Sequence, residues 1–137
     1  MLGKIAMSAG LVALVALASP AMAETKADYF GHWVNVDPAT KSLVSVDVGD
    51  AAGSQISVHP YGKCHPTPCD WGAQNADHIG GNLNFKFRTI YHQGFANKVV
   101  VLDIDPVGTL RVKTMVNFTD GRENYVANDV FHRAPVY

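Results

Sequence analysis

Both cysteines of the chain, Cys64 and Cys69, lie in one segment that reads Tyr-Gly-Lys-Cys-His-Pro-Thr-Pro-Cys-Asp-Trp-Gly over residues 61–72. With His59, His65 and His78 they put five metal-ligating side chains within a stretch of twenty residues. Two chemistries suit that spacing: thiolates and imidazoles holding zinc or copper, or a disulfide closing a short loop. They exclude each other, because oxidation removes both thiolates before a metal can use them. Pro66 and Pro68 hold φ at about −65° and supply no N–H, so the loop is stiff even before a bridge forms. Closed, it becomes a rigid element that displays Lys63, His65, Asp70 and Trp71.

Other candidate chemistry is weaker. Asp70, Asp77 and His78 can be drawn as an acid–base set, and Asp103 with Asp105 as paired carboxylates. Alternate positions on a strand put Asp103 and Asp105 on one polar face just before a turn, where solvation is the common role. The chain carries no glycine-rich phosphate loop and no zinc-protease motif. A small hydrolase or isomerase therefore ranks behind binding.

Compartment decides between the two cysteine chemistries. Residues 1–23 have the layout of a secretory signal: Lys4, an apolar stretch from Ile5 to Ala18, then Pro20 and Ala21-Met22-Ala23. The apolar stretch is shorter than the ~20 residues that span a bilayer. An exported protein, periplasmic or secreted, is expected, with residues 24–137 as one domain. An oxidising destination turns Cys64 and Cys69 into a disulfide, and closing so small a loop contributes about 2 kcal/mol on the chain-entropy model. The full chain has 11 basic and 12 acidic side chains, and removing the signal takes Lys4 as well. Such a balance leaves no electrostatic footprint for nucleic acid. No cofactor is implied.

These residues must be positioned by strands. From Phe30 onward apolar side chains alternate with period two, and turn residues interrupt them every eight to twelve positions. Strands are expected at 30–36, 43–48, 55–61, 70–75 (the weakest), 83–91, 98–105, 109–118 and 123–133. The connections are short and no crossover helix intervenes, so consecutive strands must be antiparallel neighbours. The fold class is all-β, an eight-stranded up-and-down meander barrel, with a two-sheet sandwich as the alternative. Closure into a barrel removes the exposed edges. Trp33, Phe85, Phe87, Tyr91, Phe118, Tyr125 and Phe131 are expected to point inward and fill much of the interior. Any pocket should be shallow and lie at the end opposite Trp33 and Arg133. The Cys64–Cys69 loop, as the third turn, joins the turns at 37–40 and 92–97 there.

Gly31-His32-Trp33 opens the first strand and Phe131-His132-Arg133 closes the last. This resembles the calycin barrels, lipocalins and avidins. The resemblance implies that Trp33 sits at the closed end of the barrel with Arg133 packed across its indole. Gly31-x-Trp33-x-Asn35 also resembles the avidin start, which implies a ligand contact for Asn35. Separately, Gly62-Lys63-Cys64-x-Pro66-x-x-Cys69-Asp70-Trp71-Gly72 resembles a segment of small exported bacterial proteins and brings no chemistry with it. The sequence reading is thus a binding or interaction module for a small molecule or protein partner. Recognition falls at the open rim through Asn35, His59, Tyr61, Lys63, His65, Asp70 and Trp71. A periplasmic copper or zinc protein using His59, His65 and His78 is the runner-up.

Overall fold

The period-two pattern is realised as a closed wall of antiparallel strands. The computed structural model describes residue 10 and residues 25–81 and 85–135. The signal segment expected at 1–23 falls, apart from Gly10, outside the described residues, as do Leu83 and Asn84. A short 3₁₀ helix, Lys26–Tyr29, precedes the strands β1 (Gly31–Asn35), β2 (Leu43–Asp50), β3 (Ile56–Gly62), β4 (Cys69–Asp70), β5 (Gln74–Ile79), β6 (Lys86–Gln93), β7 (Ala96–Ile104), β8 (Leu110–Phe118) and β9 (Tyr125–Arg133). Consecutive strands pair, except that β5 pairs with β3 rather than β4, and β1 pairs with β9 to close the ring. Eight strands form the barrel, and β4 is a two-residue piece that pairs beside the end of β3, in line with β5. Among the described residues no helix is long and apolar enough to cross a membrane.

The other expected strands shift at their ends, and the weakest, 70–75, departs most. Tyr61 pairs with Asp70 and Val58 with Gln74, three steps on β3 against four on the facing chain. One extra residue makes a bulge, and β5 starts only after it. The bulge changes which way the chain faces. Asp70 stays on the outer wall, while Trp71, whose N–H donates to the Pro60 carbonyl at 3.1 Å, packs against the core.

Inside the wall, the filling is uneven. Tyr29, Trp33, Phe87 and Phe131 are each 0% exposed and crowd one end together with Leu102 and Leu110. Phe85, Phe87, Tyr91 and Phe131 face inward as expected. Tyr125 does not fill the interior: although in register with inward-facing Val116, it lies at the rim and is 53% exposed. Phe118 is half-buried beside it.

Closure depends on the β1–β9 ladder, in which Trp33 pairs with Arg133, Val34 with His132 and Asn35 with Phe131. The Arg133 guanidinium lies 4.7 Å from the Trp33 ring centroid and donates to the Asp28 carbonyl. The indole N–H donates to the Tyr29 carbonyl at 2.9 Å, which ties the 3₁₀ helix over the barrel base. Gly31 has φ 142°, a conformation that side-chain-bearing residues rarely adopt. That explains the glycine of Gly-x-Trp.

Arg133→Ala removes both the cation–π contact and the hydrogen bond to the 3₁₀ helix. It should lower unfolding free energy in urea by about 1–2 kcal/mol, and Arg133→Lys should recover only part, because an ammonium cannot lie flat on the indole.

Candidate functional site: the open mouth of the barrel

The end opposite Trp33 is lined by smaller side chains, and there the barrel opens to solvent. Gly62, Thr114, Val116 and Ala127 face a cavity of about 560 Å³ whose rim carries Lys41, Lys63, the Cys64–Cys69 bridge, Trp71, Phe95 and Tyr125. Cys64 and Cys69 are joined, with Cα atoms 5.4 Å apart. The stapled loop is anchored on both sides. Lys63 N–H donates to the Ser42 carbonyl at 2.8 Å, and Cys69 and Asp70 pair with Gly62 and Tyr61.

Trp71 forms one wall of the mouth. Its ring meets Tyr91 edge-on at 5.8 Å, and the Lys98 Nζ lies 3.9 Å from its centroid. The indole also lies close against Gly62, where an added Cβ would come within 2.8 Å of the Trp71 Nε1. The glycine is needed for that close approach. Below it, Tyr91 is buried and donates its hydroxyl to the Val58 carbonyl at 2.7 Å. Burial pushes the Tyr91 phenol well above its ordinary pKa, which keeps it a neutral donor.

Two inward-facing charged groups, Lys98 at the mouth and Asp129 beside the first turn, escaped the sequence reading. Lys98 is in phase with inward-facing Val100, Leu102 and Ile104 and pairs with Tyr91 and Val116. It points into the barrel, and burial lowers its ammonium pKa. Asp129 is in phase with Phe131 and accepts from Asn35 Nδ2 at 3.1 Å and Ser42 Oγ at 2.7 Å. Extending each period-two pattern by one step would have found both.

The nominated residues divide into groups. Asn35 is 6% exposed and its amide is taken up internally: Nδ2 also donates to the Leu43 carbonyl at 2.8 Å, and Oδ1 accepts from Asp37 N–H at 2.9 Å. It braces the first turn rather than facing the cavity. Lys63, Asp70, Trp71 and the bridge line the mouth, and His65 is exposed on the loop. His59 and Tyr61 stack at 4.6 Å on the outer wall, and His59 Nε2 pairs with Asp70. Hydrogen bonds from Gly72 N–H, at 2.7 Å, and from His59 hold the Asp70 carboxyl below the usual carboxylate range.

The histidine metal set is not assembled. His59 is outside the wall, whereas His78 pairs with inward-facing Phe87 and lies 4.0 Å from the Phe85 ring. Among the described residues no three His, Cys, Asp or Glu side chains come together to hold a metal. The two acid–base sets also separate. Asp77 accepts from Gln55 Nε2 at 2.8 Å while His78 points to the other face; Asp103 pairs with Lys86, and Asp105 caps its own turn through Val107 and Thr109 N–H.

Two consequences can be measured. Gly62→Ala should displace Trp71, seen as a shift of tryptophan emission toward the water-exposed wavelength, with Trp33 as the unmoved second indole. For Asp70 the folded pKa is depressed, so its contribution to stability is present above the ordinary carboxylate pKa and is lost as pH falls through the lowered value. The stability gap between wild type and Asp70→Asn should therefore narrow steadily on acidification.

Against protein-family models, curated proteins and solved structures the chain finds no match.

Proposed function

We propose that this protein is an exported, non-enzymatic binding module that takes a small molecule into the open mouth of a calycin-like barrel, beside the Cys64–Cys69 loop. The observation that carries this reading is the cavity of about 560 Å³ at the mouth. Pockets of roughly 300–1,000 Å³ suit small ligands. The wall combines aromatic faces, from Trp71, Phe95 and Tyr125, with a few polar groups. Rings supply contact area at low entropic cost, and the polar groups fix orientation.

Several features support the same reading. The loop that shapes the rim is stapled and hydrogen-bonded to β2 and β3, so a ligand would meet a preorganised surface. The Trp33–Arg133 stack at the opposite end is the arrangement that the calycin resemblance implies. Export accords with the signal-like first 23 residues and with the disulfide. In such a protein recognition involves Lys63, Asp70 and Trp71, whereas Asn35 serves the wall.

Native mass spectrometry of protein isolated from its own compartment tests this. A small molecule should be retained and should leave on denaturation. Ala127→Phe, which fills the cavity from β9, should reduce the retained fraction about tenfold without lowering the unfolding free energy in urea by more than about 1 kcal/mol. Equal retention by wild type and Ala127→Phe would sink the proposal, and a retained zinc or copper mass would favour the histidine reading instead.

A further inference from the structure

Resting on the mouth being a ligand cavity, we infer that its ligand is an organic anion with a flat apolar body, the charge held by Lys98 and the body between Trp71, Phe95 and Tyr125. Lys98 is the starting point. Its side chain enters the barrel between Tyr91 and Val116, both 2% exposed, and among the described residues no carboxylate forms an ion pair with it. Its ammonium lies over the face of Trp71. A cation half withdrawn from water with no counter-ion is less well solvated, and an anion gains more beside it than beside a fully exposed lysine.

The surroundings agree. Three lysines, Lys41, Lys63 and Lys98, line the cavity against one carboxylate, Asp70. Asp70 is already engaged by His59 and Gly72. The other inward carboxylate, Asp129, is held by Asn35 and Ser42 and is not part of the lining. The mouth is thus basic on a chain whose net charge is −1. Within the cavity lining Thr114 is 2% exposed, and among the described residues its Oγ1 has no hydrogen-bond partner. A buried hydroxyl left so is rare, and an acceptor oxygen arriving from the mouth would satisfy it. The aromatic walls define the rest of the ligand. Anions stripped of an apolar body would leave Trp71, Phe95 and Tyr125 unused.

Two probes of the same shape separate charge from body: anilinonaphthalene sulfonate, and its uncharged counterpart N-phenylnaphthylamine. Calorimetry on the folded, disulfide-bonded protein should give one sulfonate bound per chain. Lys98→Met should weaken it by about tenfold or more, while the neutral amine changes by less than about twofold. Wild-type affinity for the sulfonate should fall with added salt and that for the amine should not, which provides the readout if Lys98→Met fails to fold. Equal loss of both probes, or no loss of the sulfonate in Lys98→Met, would overturn the anion assignment and leave the cavity reading standing. Failure of wild type to bind either probe would overturn both.

Discussion

A barrel built from consecutive hairpins has one joint that chain connectivity does not supply, the pairing of its first strand with its last. Here that joint is three residue pairs long, Trp33 with Arg133, Val34 with His132 and Asn35 with Phe131. Every other pairing is held by a neighbouring turn, so the seam must be secured by side chains. At the closed end, Arg133 covers the Trp33 ring and reaches the 3₁₀ helix. At the open end, Asp129 of β9 accepts from Asn35 of β1 and from Ser42 in the first turn. The seam is pinned at both ends by groups drawn from opposite ends of the chain. Charge-assisted bonds in partly buried surroundings are the stronger kind, which suits a joint with so few ladder pairs.

Closure also limits the interior. An eight-stranded barrel is just wide enough to be filled by side chains or to hold one small molecule. This one is filled in one half and left open in the other. Rings occupy the Trp33 end, and at the other end Gly62, Thr114, Val116 and Ala127 leave a cavity. The stapled loop then gives the cavity its wall. The bulge after Asp70 adds one residue to the facing chain, which brings Trp71 over Tyr91 and beneath Lys98 while Asp70 stays outside with His59. A disulfide whose spacing first suggests metal chemistry thus acts by holding a tryptophan at the mouth.

Much of the wall was legible in residue order. Alternation at 85–91, 100–104 and 110–118 assigns the inward face because a strand's side chains have a fixed period of two. Glycine at 31 and tryptophan at 33 marked the closed end, and the turn count placed the loop on the opposite rim. The site was less legible. Lys98 and Asp129 look like solvated charges, since polar residues on a strand are usually outward. Asn35 looked like a ligand contact, yet its amide is consumed by the first turn and by Asp129. His59, His65 and His78 look close along the chain, but a strand sends alternate residues to opposite sides and a wall comes between them.

What the sequence determined by itself is everything that depends on local period and covalent stiffness: the strands, their inward faces, the antiparallel order and the short proline-rich staple. Those properties are set by a residue and its near neighbours. What only the tertiary structure decided is which polar groups meet across the closed ring. Asn35 and Asp129 are separated by nearly the whole described chain, and Trp71 and Lys98 by two intervening strands. Their contacts depend on closure and on a one-residue bulge, and a shift of one residue in register turns an inward side chain outward. The basic, aromatic mouth is a product of that register.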